Sequence, residues 1–405
     1  MKILYVISVH GHGRGGHFHS LNQISKILSK HEYVRIISFG SGVSPIIEKN
    51  PNFQEHIFFN GLNLFYLVKK FKQILKANFD VIHFFDDSSY NIMRLFLNYS
   101  KTIVYLNKCG GANRRFYPKV QNLILFSKEN QIWFNNKKKY RDSNIFLFPY
   151  RVERIQTNSD NIPYKKEWDS FTFMRICRIG IAYKKSIQDS YNLLKYLLSH
   201  GFENVKLYII GAIEDISIFE RFYDDPLVRN GKIIFITENK LTEEASKMLF
   251  LADAVIGTGR GLMEASSLGI PLLTLNIESD IPILITENNF FECYFTNFSE
   301  RNVFKNFDEN ENLDSIKKLI NNIDFYNKQV ELSRKIFDEF FNVEKVWPSY
   351  IDAYRLGKIE KRMPVFDIIF TIKSIIGFYR SDRTFKQTRL LQKSKRPINP
   401  PPIQG

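Results

Sequence analysis

The 405-residue sequence predicts an α/β protein of two doubly wound domains followed by a helical C-terminal tail. Three observations carry that prediction. Short apolar runs rich in β-branched residues alternate with segments of helical spacing, the mark of parallel strands joined by covering helices. The alternation stops once, at the polar stretch RVERIQTNSDNIPYKKEW (151–168), which holds Pro163 and has no sustained period, and then restarts. From Ser315 to Lys358 the pattern is helical only.

In the first half, ILYVISV (3–9), YVRIISF (33–39), DVIHFF (80–85), TIVYLN (102–107), NLILFS (122–127) and IFLFPY (145–150) read as strands. LNQISKILSK and LFYLVKKFKQILKANF between them carry helical spacing. After the break come strands TFMRICRIG (172–180), VKLYIIG (205–211), KIIFITE (232–238), DAVIGT (253–258) and IPLLTLN (270–276). Helices through DSYNLLKYLLSHG, TEEASKMLFLA and LMEASSLG separate them. The expected division is residues 1–160, 161–345 and 346–405, the last part comprising a helix around VWPSYIDAY that returns to the first domain and a basic amphipathic tail. No repeat at solenoid periods occurs.

Composition narrows the function classes. Lys and Arg number 57 against 42 Asp and Glu, a formal charge of +15 that suits nucleic acid, anionic lipid or phosphorylated substrates. Zinc-finger, helix-turn-helix and RNP-like aromatic motifs are lacking, so nucleic acid is not an expected partner. Cys109, Cys177 and Cys293 are scattered and odd in number, which fits a reducing compartment and gives no zinc spacing. The apolar opening run is broken by His10 and Gly11, too early for a signal peptide, and no run approaches the ~18 apolar residues of a membrane span. The expected localisation is cytoplasmic, with peripheral attachment to the inner face of the cell membrane left open.

HGHGRGG (10–16) places Gly11, Gly13 and Gly16 as G-x-G-x-x-G between a strand and a helix, the spacing of a dinucleotide-binding loop. Such a site also needs an acid at the end of the second strand to accept from ribose hydroxyls. That strand ends SFGSG (38–42), with Glu48 the nearest acid, so the nicotinamide or flavin reading lacks its partner. His10, His12, His17 and His19 surround the loop without an acidic or cysteine ligand nearby, which reads as a polar loop rather than a metal site. No cofactor and no metal are expected.

Two α/β domains joined by a linker, each opening on a strand and a glycine-rich turn, outline the GT-B architecture of two Rossmann-like domains facing a cleft. Three stretches sharpen this into a resemblance to glycosyltransferase family 4. GRGGHFHSLNQIS (13–25) resembles that group's first loop and helix, and RICRIGIAYKKS (175–186) its arginine-then-lysine loop. ADAVIGTGRGLMEASSLGIPLLT (252–274) resembles its nucleotide-binding strand, loop and helix, with Gly257, Gly259, Glu264, Ala265, Gly269 and Pro271 in corresponding places.

The resemblance implies transfer of a sugar from a nucleotide diphosphate-sugar to a glycan or lipid-linked acceptor, with retained configuration, in surface polysaccharide biosynthesis. It implies that Gly15 and Gly16 let backbone approach the donor diphosphate and that Gly257, Gly259, Arg260, Gly261, Leu262 and Glu264 bind the donor. Backbone amides and a helix dipole would face the diphosphate, and Glu264 the ribose. Arg178 with Lys184 or Lys185 would neutralise the leaving diphosphate. The group's first glutamate, eight residues before Glu264, is replaced by Ile256, and Arg260 is a candidate to compensate. His83 lies inside an apolar strand resembling the group's histidine-bearing strand, and it reads either as catalytic or as a core histidine. Asp86 and Asp87 at that strand's end, and Lys108, Arg114 and Arg115 around the NKCGG turn, are acceptor-side candidates. Ile256 and the NKCGG substitution motivate a second reading, a non-catalytic GT-B partner subunit, and a sugar-nucleotide epimerase on the same fold is a third.

Two segments are amphipathic. GLNLFYLVKKFKQILKANF (61–79) sets Phe65, Val68, Phe71 and Leu75 on one stripe, expected to pack on its own domain. VFDIIFTIKSIIGFY (365–379) repeats Val365, Ile368, Ile369, Ile372, Ile375, Ile376 and Tyr379, with Asp367, Thr371 and Ser374 opposite. The basic stretch after it makes residues 365–396 the expected contact with an anionic membrane surface. The end, PINPPPIQG, is expected to be disordered or extended.

Overall fold

The computed structural model describes residues 1–99, 101–157 and 162–394, with side chains to Thr384. The basic residues beyond 384 have no described side chains, and PINPPPIQG lies outside the described residues. The chain forms two units. The first comprises Met1–Leu125, Asn130–Leu147 and the chain from Trp347 on; the second comprises Phe126–Glu129 and Phe148–Val346.

In the first unit the described residues form a seven-stranded sheet ordered β3-β2-β1-β4-β5-β6-β7. The strands are β1 (Lys2–Val9), β2 (Tyr33–Gly40), β3 (Phe53–Phe58), β4 (Val81–Phe84), β5 (Ile103–Lys108), β6 (Asn122–Leu125) and β7 (Asn144–Leu147). Every pairing is parallel. In the second unit a six-stranded sheet runs β10-β9-β8-β11-β12-β13. Its strands are β8 (Phe171–Ile176), β9 (Val205–Ile210), β10 (Ile233–Ile236), β11 (Ala254–Gly257), β12 (Leu272–Thr274) and β13 (Ile283–Leu284), with only β13 antiparallel. Helices cover both faces, which is why the central strands read as unbroken apolar runs.

Two strands and one boundary differ from the sequence expectation. β3, FQEHIF, lies at the sheet edge, where half-polar residues are tolerated and the apolar-run signal fails. β13 is two residues long, too short to show a period. Residues 151 and 152 are not a free linker, because the Arg151 and Val152 amides both donate to Phe341 O at 3.1 and 3.0 Å. The chain therefore enters the second unit at Phe148 rather than near residue 160.

The return segment docks on the first unit through buried aromatics. Trp347 stacks on His31 with ring centroids 3.9 Å apart. The Tyr354 hydroxyl lies 2.8 Å from the Tyr5 hydroxyl and 2.8 Å from His83 Nδ1, and the Tyr105 hydroxyl donates to Ala353 O. His83 is fully enclosed on β4, and burial pushes its pKa down to about 3, so it stays neutral. Of the two readings, its enclosure among Tyr5, Tyr105 and Tyr354 fits the core histidine, with Nδ1 on the docked helix and Nε2 without a partner among the described residues. Tyr354→Phe is expected to orphan both partners and to lower stability by about 1–3 kcal/mol. Urea denaturation checks this; a midpoint equal to wild type would remove the anchoring role.

A second anchor lies at Arg94, which is buried. Its Nη1 is 3.3 Å from Asp367 Oδ2 and its Nη2 3.9 Å from Glu360 Oε1. Lys139 Nζ reaches Asp367 Oδ1 at 3.1 Å, and the Lys119 amide donates to Asp367 Oδ2 at 2.7 Å. Among the described residues, no helix is long and apolar enough to cross a membrane.

Candidate functional site

Each sheet reverses its strand order once, between β1 and β4 in the first unit and between β8 and β11 in the second. Open parallel sheets bind ligands beyond the carboxyl ends of their strands at such switch points. The candidate residues gather at both places, and each set is described by itself.

At the first switch point stands the HGHGRGG loop. Gly13 has φ +57°, and a Cβ there would lie 2.6 Å from Ser44 Cβ, so glycine is required. Gly15 has an ordinary extended φ of −72°, and Gly16 opens the helix Gly16–Leu28. The conformational demand thus falls on Gly13, not on the Gly15-Gly16 pair that the sequence favoured. Ser44 Oγ donates to Gly13 O at 2.6 Å and holds the turn. His10 stacks on Phe378 at 4.1 Å, and burial lowers the pKa of both His10 and His17. No group of three or more His, Cys, Asp or Glu able to hold a metal ion occurs among the described residues.

The acceptor-side candidates separate into fixed and open groups. Asp86 accepts from Ser8 N and Ser8 Oγ, both at 2.7 Å, and from Ser89 N at 2.8 Å. It caps the helix Asp87–Met93 and ties it to β1. Lys108 is buried and donates to Gly111 O at 2.9 Å and Ala112 O at 3.1 Å, so it clamps the NKCGG turn rather than facing an acceptor. Asp87 pairs with Arg114; burial raises the Asp87 pKa and Arg114 opposes the rise. Arg114 and Arg115 are exposed, Arg115 lying over the Phe116 ring at 5.3 Å. Of this set, Asp87, Arg114 and Arg115 remain able to meet a ligand.

At the second switch point, contacts join the end of β8, the start of the helix Lys184–Ser199 and the end of β11. Arg175, buried in β8, donates from Nη2 to Ser186 Oγ at 3.1 Å. Its Nη1 is 3.6 Å from where a Gly257 Cβ would stand, and its Nε has no partner among the described residues. Ser186 Oγ in turn donates to Tyr183 O at 2.8 Å. The exposed Arg178 donates to Tyr183 Oη at 2.9 Å and to Glu214 Oε1 at 2.6 Å. Arg175 escaped sequence reasoning, although a charged residue inside the apolar strand FMRIC was a signal.

The paired lysines divide their roles. Lys185 Nζ contacts Asp189 Oδ2 at 2.9 Å and Ser279 O at 2.7 Å. Burial raises the Asp189 pKa to about 6, against the pull of Lys185. Lys184, the first residue of its helix, is half-buried and has no ion pair among the described residues. Lys184 is therefore the cation left for an anion.

The β11 loop also differs from expectation. Arg260 Nε donates to Glu264 Oε1 at 2.7 Å, and Nη1 to Arg151 O at 3.2 Å. Its guanidinium is thus committed to Glu264 and the backbone instead of standing open to a phosphate. Gly259 has φ +54° and its amide donates to Phe298 O at 2.9 Å, while Gly261 has free space around it. Leu262 is buried. The helix Arg260–Ser266 has seven residues, so its dipole is small and its contribution comes from individual amides. Ile256 is enclosed within β11. Asn297 and Phe298 have φ of +62° and +54°, a non-glycine strain of the kind concentrated at ligand sites, and Arg151 Nη2 bonds Asn297 Oδ1. Nothing in the sequence signals that strained turn.

No described protein family and no curated protein matches the sequence. Solved structures do match its fold. Anabaena HepE in complex with UDP aligns with TM-score 0.59 and 12% identity, over 88% of this chain and 100% of that one. A TarM mutant from S. aureus, in complex with fondaparinux, alpha-GlcNAc-glycerol and UDP, aligns with TM-score 0.60 and 12% identity, over 87% and 100%. UDP-GlcNAc 2-epimerase from Neisseria meningitidis, bound to UDP-GlcNAc, aligns with TM-score 0.51 and 11% identity, over 87% and 99%. At these identities the likeness establishes the fold: the chain is an α/β protein of the GT-B class, with two Rossmann-like units.

Proposed function

We propose that the chain is a glycosyltransferase moving a sugar from a UDP-sugar to a glycan or lipid-linked acceptor, with retained configuration, in surface polysaccharide biosynthesis. The observation that carries the reading is the cationic switch point of the second unit. Among the described residues Arg175 is a buried cation without a carboxylate partner and Lys184 has no ion pair, while Arg178 is exposed. A buried cation is stabilised by an anion, and a diphosphate is the anion that develops charge as a glycosidic bond to it breaks. Arg178 and Lys184 would neutralise the leaving diphosphate, an assignment that needs no metal ion. Glu264, held by Arg260, would accept from the ribose hydroxyls, and a fixed carboxylate loses less entropy on binding. Gly257 and Gly259 would let backbone approach the donor, and Asp87, Arg114 and Arg115 would meet the acceptor.

The likeness to UDP-GlcNAc 2-epimerase favours a second reading, a sugar-nucleotide epimerase. Ile256 motivates a third, a non-catalytic GT-B partner subunit. Incubation with a panel of UDP- and GDP-sugars, with and without membrane lipids, separates them. Nucleotide release is expected; an isomerised free nucleotide sugar would indicate the epimerase, and no binding of any donor would sink the enzyme reading. Glu264→Ala is expected to weaken nucleotide binding by about tenfold or more while the protein still folds. Calorimetry giving wild-type affinity would remove the ribose assignment. Lys184→Ala should lower turnover well below Lys185→Ala, measured as initial rates of nucleotide release.

A further inference from the structure

The C-terminal helix Ile368–Ser394, with the turn before it, is mounted with its polar face inward. Asp367, Thr371, Ser374, Phe378 and Asp382 are buried. Thr371 Oγ1 donates to Asn91 O at 2.7 Å, Asn91 Nδ2 lies 3.4 Å from Ser374 Oγ, and Asp367 meets Arg94 and Lys139. Phe378 enters the apolar core, against Phe39 and Phe59, and the partly buried Ile375 packs against it. The outward stripe is Val365, Ile369, Ile372, Ile376 and Tyr379, with Phe366 90% and Ile372 50% exposed. Ordinary surface helices do the reverse.

A second apolar segment adjoins it. A Cβ on Gly61 would lie 2.8 Å from Ile375 O, so this turn sits directly on the helix. Next to it Leu62, Phe65 and Tyr66 are exposed, Phe65 at 91%. Phe65 was expected to pack inward; the buried stripe of its helix is instead Leu67, Phe71 and Ile74. Lys69, Lys72 and Lys76 stand exposed on that helix, and residues 61–79 contain no acid. Between residues 361 and 384, Lys361, Arg362, Lys373, Arg380 and Arg383 are exposed, whereas the two acids, Asp367 and Asp382, are buried.

We infer that this surface docks on an anionic lipid leaflet, the isoleucine stripe and Leu62–Tyr66 entering the interface and the cations meeting lipid phosphates. Exposed apolar groups seek a non-aqueous partner, and the exposed charges of residues 61–79 and 361–384, all cationic, select an anionic one, with Glu55 beside Lys70 the neighbouring acid. A second copy of the chain would set cation against cation. The inference stands apart from the reaction catalysed, since binding is read without turnover.

The test is co-sedimentation of the full chain with phosphatidylcholine vesicles, with and without phosphatidylglycerol. Wild type is expected to bind the anionic vesicles and to be released by salt. Ile372→Asp and Ile376→Asp, at exposed positions that leave the buried face intact, should each weaken binding by about tenfold or more. Lys373→Glu should weaken it by about fivefold or more. Circular dichroism and melting temperature check that the variants fold. Equal binding to neutral vesicles, no binding at all, or Ile372→Asp binding as wild type would overturn the inference. So would light scattering showing that Ile372→Asp turns a dimer into a monomer.

Discussion

Arg94→Met is expected to lower the stability of the protein by about 3–5 kcal/mol, the usual cost of removing one partner from a buried ionic group. Arg94 is the hub between the first unit and the C-terminal segment. It donates to Lys119 O at 3.1 Å, meets Asp367 and Glu360, and lies over the Tyr90 ring at 4.6 Å. Methionine preserves much of the packing volume and removes the charge, which leaves Glu360 without its cation. Asp367 keeps Lys139 and the Lys119 amide, and Glu360, whose pKa burial already raises, takes up a proton once the cation is gone, so the loss falls towards the lower end of that range. Urea denaturation should show a lower midpoint at unchanged slope. A loss below about 1 kcal/mol would mean that the pair contributes no more than an exposed one.

Glu360 supplies the pH signature of the same anchor. Burial raises its pKa from 4.5 to about 7, outweighing Arg94, which sits at the long distance of 3.9 Å. The folded state therefore holds a proton on Glu360 that the unfolded chain has released. The stabilisation is complete below pH 4.5 and fades as pH rises through about 7. Glu360→Gln, neutral at every pH, should show a flatter stability profile across that window than wild type. Parallel profiles for the two proteins would place the titration elsewhere.

Both anchors explain what the sequence could and could not convey. Alternating strands and helices were legible because parallel strands covered on both faces must be apolar throughout. The docked return helix was legible as a helix. Its partners were not, because Tyr5 and Tyr354 lie 349 residues apart. Candidate positions at strand ends were legible for the same topological reason, while their side-chain commitments were not. Asp86 and Lys108 had the right residue type and place, yet Ser8 of β1 and the Ser89 amide occupy Asp86, and carbonyls of its own turn occupy Lys108. Arg260 and Glu264, four residues apart on one helical turn, face each other, a spacing rule that could have been applied in advance. The inverted C-terminal helix shows the limit most clearly. Its period was plain from the sequence, but a period does not say which face turns inward; the buried Asp367 and Arg94 decide that.

The two arginines at the second switch point should part company when replaced, and this separates chemistry from architecture. Arg178→Ala is expected to reduce the rate of nucleotide release by about 10²–10³, the scale of losing one donor aimed at developing charge. The side chain is exposed, so its melting temperature should move little. Arg175→Met acts from beneath. Its guanidinium is buried with Ser186 and a carbonyl for company, and replacing such a charge by an apolar side chain of similar size tends to be neutral or stabilising. Melting temperature should hold or rise while donor affinity falls, because on the proposed reading the buried positive charge would act on the diphosphate through a low-dielectric medium. A variant that is both more stable and less active marks a site whose charge is kept for its ligand. If Arg175→Met instead unfolds the protein, Arg175 is architecture and the diphosphate rests on Arg178 and Lys184 alone. If it is stable and retains full donor affinity, the buried charge plays no part in binding, and the cationic floor assigned to the switch point is wrong.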